Sequence, residues 1–483
     1  MTPAYKTLWR SVFYSLLITF LVACGSTINN SQSVHFSADF ESGSLPLVKQ
    51  LDQQGLSYEL ALRNDNNDAT LPDSFRTWWY VRADNVPVQK NLQLVFTRLG
   101  FPNYFVPVYS YDNKTWQYFD EKDVSLAPGC DITLPETCRL TISKTFASPT
   151  VWIARTFPYT TQDLASFIAS VSASPYFQTE MIGLSPGLAK PLQLITLADN
   201  TVVTPRQTIW IHARTHAAET GPSYLLEGLI QAVLSNNALG QALRQHYIFK
   251  IVPMHNVDGI VLGNYRTNAA SINLEPEWLF DEGNVYLNDA APLENRLINR
   301  MAMAPAMLNQ DAPVVLALNL HSSNSDPDTG AFFFPHFGSD PARYSAQQIN
   351  LWNKQISFIK ALAVSYGGKI ERPPVDGGAG FLQSAFPETW WWAQRADAVT
   401  AITLETTYGR AGFNHWVTQS DLRELGTAVA NAIGGMGAAW SQTGVQAGVQ
   451  ATAQAGTLQA EPAADDMSMF RLPFKPEIYK PAE

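Results

Sequence analysis

In Ile209-Trp-Ile-His-Ala-Arg-Thr-His216-Ala-Ala-Glu219-Thr-Gly an apolar run opens into a loop that sets a histidine and a carboxylate three positions apart. Imidazole and carboxylate are both good zinc ligands, and the two intervening residues let the chain curl back so that one loop offers both to one ion. Two ligands do not make a site. A catalytic zinc needs a third protein ligand and an open position for water. The rest of the chain must therefore bring a distant His, Asp or Glu to the same place.

The sequence offers such groups in comparable settings. Ala312-Pro-Val-Val-Leu-Ala-Leu-Asn-Leu320 is a continuous apolar run, read as a strand buried on both faces, and it leads into His321. Tyr247 to Met254 leads into His-Asn-Val-Asp258-Gly, and Ala398 to Leu404 leads into Glu405-Thr-Thr-Tyr-Gly. Four strands thus hand polar residues to their C-terminal ends, which is where ligands and chemistry sit in open α/β sheets. His216, Glu219, His321 and Glu405 are expected to converge there. His212 has Thr215 three positions on, where a ligand carboxylate is needed, so it is read as a packed histidine. Trp390-Trp-Trp392 is read as core or interface packing.

At 483 residues the chain exceeds one ordinary core, and 46% hydrophobic against 15% charged residues describes a globular, core-forming protein. The formal net charge of −10, with no basic cluster to offset it, argues against a nucleic-acid partner. Between about Val34 and Pro158 short alternating runs such as Tyr58 to Arg63, Leu92 to Phe96 and Thr150 to Ala154 are separated by Asn64-Asp-Asn-Asn-Asp, Asp112-Asn-Lys and Ala127-Pro-Gly, the pattern of an all-β sandwich. From Thr160 helical periods appear between the buried strands, so an α/β domain with a mixed sheet is expected over 159–440 behind a sandwich over 34–158. Residues 441–483, rich in Ala, Gln, Gly and Thr, read as a flexible tail, with Met469-Phe-Arg-Leu-Pro-Phe able to dock on the body.

The first 23 residues read as an export signal: Lys6 and Arg10 precede the short apolar segment Ser11 to Val22, and residues 24–33 come next as a linker. Leu21-Val-Ala-Cys24-Gly25 resembles a bacterial lipobox. That resemblance implies cleavage before Cys24, its acylation and a permanent lipid anchor, with Gly25 favouring the periplasmic side of the outer membrane within the cell envelope. In such an oxidising compartment Cys130 and Cys138 are expected to form a local, structural disulfide.

In its order of features the chain resembles the M14 family of zinc carboxypeptidases, most closely the cytosolic-type branch with a β-sandwich before the catalytic domain. Phe40-Glu-Ser-Gly, Arg76-Thr-Trp-Trp-Tyr-Val-Arg and Phe157-Pro-Tyr-Thr look like that branch's N-terminal domain. The resemblance implies one Zn²⁺ per chain on His216, Glu219 and His321. It also implies that Arg266, closing Pro253-Met-His-Asn-Val-Asp-Gly-Ile-Val-Leu-Gly-Asn-Tyr-Arg, polarises the scissile carbonyl, and that Glu405 is the catalytic carboxylate. Each role has its own physical ground. Zinc lowers the pKa of bound water to about 7, a carboxylate in reach takes its proton and passes it to the leaving amine, and a guanidinium stabilises the developing oxyanion.

One part of the pattern is absent. The family has, after the arginine loop, an Asn-Arg pair that clamps the substrate's terminal carboxylate, a bidentate contact only arginine makes well. Here Ser271-Ile-Asn-Leu-Glu275-Pro276-Glu277-Trp278 has Glu and Pro at those places. Arg214 or Arg410 is expected to substitute, or else Glu275 or Glu277 meets a positive group of the substrate, such as the free amine of a cell-wall peptide. No tyrosine stands at the distance before Glu405 where the family's cleft tyrosine is expected, and Tyr408 lies on the wrong side. The expected function is a metal-activated hydrolysis of a peptide or cell-wall amide. A zinc-dependent deacylase and a non-catalytic envelope binding protein are the alternatives.

Overall fold

The computed structural model describes residues 33–131, 133–134, 137–440, 467 and 469–470. The export segment, Cys24 and residues 441–466 lie outside these described residues.

Alternation of apolar and polar side chains builds the N-terminal part. In Ser57–Ala61 and Asn91–Thr97 every second residue is buried, which gives each strand one face for a core and one for solvent. The strands form two five-stranded sheets. One runs, in spatial order, His35–Ser37, Tyr80–Asp84, Thr150–Ala154, Val108–Ser110 and Gln117–Tyr118. The other runs Leu47–Gln50, Ser57–Ala61, Asn91–Thr97, Arg139–Thr145 and Val124–Leu126, with a single parallel pair between its second and third strands. Between them lie Trp79, fully buried and stacked 4.1 Å from Phe96, with Leu60, Leu94, Leu140 and Ile153. Burial of each such side chain contributes roughly 1.5–3 kcal/mol. The Cys130–Cys138 disulfide is formed, with Cα atoms 4.3 Å apart, and closes a loop on the rim of this core.

The second part is a seven-stranded mixed sheet flanked by helices. Its strands are β1 (Phe177–Leu184), β2 (Pro191–Leu197), β3 (Gln207–Ala213), β4 (Tyr247–Val252), β5 (Val314–Ser323), β6 (Phe332–Phe333) and β7 (Thr400–Thr407), in the order β1-β2-β4-β3-β5-β7-β6. The central pairs β4/β3, β3/β5 and β5/β7 are parallel, and β1, β2 and β6 join antiparallel at the edges. β5 is buried along nearly its whole length, as a sheet covered on both faces requires. The principal helices are α1 (Thr161–Val171), α2 (Gly221–Leu234), α3 (Ala346–Ser365), α4 (Pro387–Arg395) and α5 (Gln419–Trp440).

A capping box at Thr160 and Asp163 starts α1, and a second at Ser345 and Gln348 starts α3. α2 is buried almost throughout and packs closely on α5. Glycine makes that approach possible: a Cβ at Gly228 would meet the Arg423 carbonyl at 2.0 Å, and one at Gly426 the Leu225 carbonyl at 1.9 Å. The two parts share an extensive contact and fall in one compact unit. Arg410 belongs to that contact, bonded to Glu121 of the sandwich at 2.6 Å and stacked 5.0 Å from Trp416.

One expectation needs correction. The strands do not stop before His321 and Glu405 but run on through them, because the backbone ladder continues to Ser323 and Thr407. Near the C-terminus Phe470 is buried in the α/β core with Met467 and Met469 packed against it, at the segment read as able to dock on the body. Among the described residues no helix is long and apolar enough to cross a membrane.

Candidate metal centre

β3 and β5 lie side by side and parallel, so the loop leaving β3 emerges beside the C-terminal end of β5. Beyond Ala213 the chain turns through Arg214, whose φ of 61° is left-handed, and presents His216 and Glu219. His321 on β5 pairs in register with Glu405 on β7. The helix after Glu219 can begin at once because Gly221 sits against both strands. A Cβ there would meet Thr406 Oγ1 at 2.3 Å and Ser322 Oγ at 2.7 Å.

His216, Glu219 and His321 form a buried cluster whose potential ligand atoms all lie within 4.8 Å of one another. Glu219 Oε1 is 2.8 Å from His216 Nδ1, and Oε2 is 2.9 Å from His321 Nδ1. The two Nδ1 atoms are 3.1 Å apart. Their outer nitrogens decide what this means. His216 Nε2 faces Asn273 Oδ1 at 3.1 Å, and His321 Nε2 faces Glu275 Oε2 at 3.2 Å. The Asn273 acceptor assigns the His216 ring proton to Nε2, as metal-ligating histidines are commonly held, while Glu275 stands beside His321 Nε2 as an ion-pair partner outside hydrogen-bond geometry. Both Nδ1 atoms lie, with both oxygens of a carboxylate, in one small volume. That donor set suits zinc, and the residues present fit it.

The electrostatics arise from this crowding. Burial would raise Glu219, but His216 and then His321 outweigh it and hold the carboxyl well below its usual range. Burial would likewise lower His321, yet Glu275 and Glu219 hold its imidazolium well above the ordinary value in the metal-free protein. Glu405 is pushed up to about 8, first by burial and then by Glu219, and its Oε2 is buried without a hydrogen-bond partner. Arg266 is half-buried, with its guanidinium carbon 5.5 Å from the Phe75 ring. Its charge acts on both His216 and Glu405, and among the described residues it has no ion pair.

Three of the residues expected to contact substrate already have internal partners. Arg214 is 1% exposed, and its guanidinium is used internally on the carbonyls of Ala217 and Tyr159 and on Ser223 Oγ. Glu275 is 4% exposed and lies behind His321, where it also accepts from Asn319 Nδ2 at 2.7 Å, so it steadies a ligand instead of facing solvent. Arg410 is committed to Glu121 of the sandwich. Glu277 is half-buried, and its carboxylate has no hydrogen bond or ion pair among the described residues. His212 is packed, its Nδ1 accepting from Trp210 Nε1 at 3.3 Å, and Trp390 and Trp391 are core residues.

Several neighbours carried no sequence signal of their own. Asn273, Asn319 and Glu388 are ordinary polar residues until the fold stacks them behind the two histidines. Tyr265 and Tyr408, on two different loops, both lie within the field of the Glu219 carboxylate. The Tyr408 phenol is held well above its ordinary value by burial and then by that carboxylate.

This mixed sheet, behind a β-rich N-terminal domain, is a carboxypeptidase-like fold. The similarities agree. Residues 181–325 match the family described as zinc carboxypeptidase, and residues 36–155 match the cytosolic carboxypeptidase N-terminal domain. Cytosolic carboxypeptidase 6 of Mus musculus is 25% identical over 328 residues, 65% of this chain and 57% of that protein. Cytosolic carboxypeptidase 2 of Homo sapiens is 27% identical over 267 residues, 50% of this chain and 28% of its own length. The chain thus spans little more than half, or less, of these relatives. Among solved structures, a metallo-carboxypeptidase from Burkholderia cenocepacia superposes with a TM-score of 0.65 at 21% identity, covering 84% of this chain and 100% of its own. One from Pseudomonas aeruginosa gives 0.64 at 18%, covering 84% and 99%. At that identity the structures establish the fold alone. The chain therefore carries an M14 zinc carboxypeptidase domain behind a cytosolic-carboxypeptidase N-terminal domain, with cytosolic carboxypeptidases among its homologues.

Proposed function

We propose that this protein is a zinc-dependent peptidase that hydrolyses an amide bond with His216, Glu219 and His321 as ligands, Glu405 as proton carrier and Arg266 as oxyanion partner. The observation that carries the reading is the convergence of two imidazole nitrogens and both oxygens of one carboxylate in a buried cluster, beside a carboxyl whose second oxygen is unpartnered. Zinc bound there supplies an acidified water and Lewis-acid polarisation of the substrate carbonyl. The protein residues do the rest. Glu405 Oε2 takes the proton of the attacking water and returns it to the departing amine nitrogen. Arg266, having no carboxylate of its own among the described residues, has its charge available to the oxygen that turns anionic; loss of such a donor typically costs about 10²–10³ in rate. Asn273 holds the His216 imidazole in the ligating tautomer, and Glu275 stands beside His321 as its ion-pair partner.

Pro276 stands where the resemblance places a clamping arginine, and Arg214 and Arg410 are committed elsewhere. The proposed substrate is therefore an amide whose recognition does not depend on a free terminal carboxylate, for which a cell-wall peptide is the candidate. Acylation of Cys24 would place the enzyme at the envelope membrane, facing such substrates; labelling with palmitate tests the anchor.

Zinc-loaded full-length protein would be offered peptides with free and amidated C-termini, muropeptides and N-acyl amino acids, with Glu405→Gln as control. Hydrolysis of amidated peptides or muropeptides that Glu405→Gln abolishes supports the reading, and turnover confined to N-acyl amino acids makes the protein a deacylase. Stoichiometric zinc with no hydrolysis of any amide leaves a non-catalytic binding protein.

A further inference from the structure

We infer that Asp65, a residue of the β-sandwich, is a positioning residue for Arg266, so that the sandwich completes the catalytic site. The inference rests on the peptidase reading. Asp65 is 5% exposed and reaches across to the loop that carries Arg266. Its Oδ1 accepts the backbone N–H of Tyr265 at 2.6 Å, and its Oδ2 accepts those of Arg266 and Thr267, both at 2.8 Å, together with Thr267 Oγ1 at 3.0 Å. Three consecutive amides bound to one carboxylate fix the backbone dihedrals between them, and those dihedrals set the direction in which the Arg266 side chain leaves the chain.

The rest of the surroundings points the same way. Asn66 extends the contact, its N–H donating to Asn264 Oδ1 at 3.1 Å and its amide to the Asn268 carbonyl at 2.9 Å. Asn66 and Asn67 both adopt left-handed φ angles, 51° and 58°, in order to present this face. Asparagine takes that conformation readily, so the turn needs no glycine there. A second link comes from another sandwich segment: Arg155 Nη2 donates to Asn324 Oδ1 at 2.8 Å, and Asn324 Nδ2 donates to the Tyr265 hydroxyl at 2.9 Å. Even the ring against which the Arg266 guanidinium lies, Phe75, belongs to the sandwich. With no ion pair of its own among the described residues, Arg266 takes its direction from its backbone and that ring, and the sandwich controls both.

Oxyanion stabilisation demands placement to a fraction of an ångström, and a misplacement of about 1 Å caused from outside the reacting centre can cost about 100-fold. Full-length zinc-loaded protein carrying Asp65→Ala, Asp65→Asn, Arg266→Ala and the double substitution Asp65→Ala/Arg266→Ala would be compared on the peptide panel. We expect Asp65→Ala to lower kcat by about 10- to 100-fold with KM nearly unchanged, because the interaction lost belongs to the transition state. Zinc content should equal that of the unsubstituted protein, since the ligands come from other segments, and Asp65→Asn, which keeps an acceptor oxygen, should fall between. In the Arg266→Ala background the same substitution should cost less than about two-fold.

Unchanged kcat in Asp65→Ala, or an equal loss with and without Arg266, would overturn the inference; the latter is what a merely structural role predicts. If the unsubstituted protein hydrolyses nothing, the peptidase reading fails by itself. Crystallography still decides on Asp65, because an Arg266 guanidinium left in place in Asp65→Ala or Asp65→Asn refutes the positioning.

Discussion

Glu388, at the start of α4, is a carboxylate with 2% exposure and no basic partner among the described residues. It accepts from Thr403 Oγ1 at 2.5 Å and from Asn319 Nδ2 at 3.3 Å, the same amide that bonds Glu275. Burial, and then the charge of Glu275, push its carboxyl from 4.5 up to about 7. Folding therefore favours its neutral form. Between pH 4.5 and 7 the unfolded chain releases this proton while the folded protein keeps it, so the stabilisation is complete below 4.5, falls as pH rises through that window and is flat above it. At about 1.4 kcal/mol per pH unit the change amounts to roughly 3 kcal/mol as an upper bound. Glu388→Gln keeps the shape and the acceptor oxygen but cannot ionise. Chelator-treated protein and variant would be unfolded in urea at pH 4.5, 6, 7 and 8 and followed by tryptophan fluorescence. The variant should gain on the parent by up to about 3 kcal/mol between pH 4.5 and 8, since Glu405 titrates in both and cancels. Parallel pH profiles would refute the assignment of a buried, neutral Glu388.

Glu275→Gln should weaken zinc binding by about 10- to 100-fold, the usual effect of removing a carboxylate that orients a ligating histidine; competition against a fluorescent chelator measures it, and an unchanged Kd places Glu275 outside the metal site. Cys138→Ser opens a loop of eight residues' separation and should lower stability by about 2–3 kcal/mol, read from urea midpoints, while leaving zinc content unaltered. An effect on zinc content would mean that the disulfide rim and the metal centre are coupled.

Much was legible in the chain because it depends on local pattern. Alternating burial marked the strands around Tyr58, Leu92 and Val151, unbroken apolar runs marked β3, β5 and β7, and the spacing of His216 and Glu219 from one loop is a property of a few consecutive bonds. What failed lay in contacts between distant segments. Glu275 reads as an acid free to meet substrate until the sheet brings Asn319 and His321 against it, and Arg214 reads as an available cation until three internal acceptors consume its donors. Nothing near Asp65 in sequence hints that its carboxylate receives the backbone of residues 265–267. Sequence alone determined which residue types and periods were present, hence a β-sandwich, a covered strand core and the raw material for a metal site. Tertiary structure decided which of those polar groups face an ion, which face one another and which are spent as braces, because hydrogen-bond and charge partners are chosen by proximity in space, and that proximity exists only once the strands have paired.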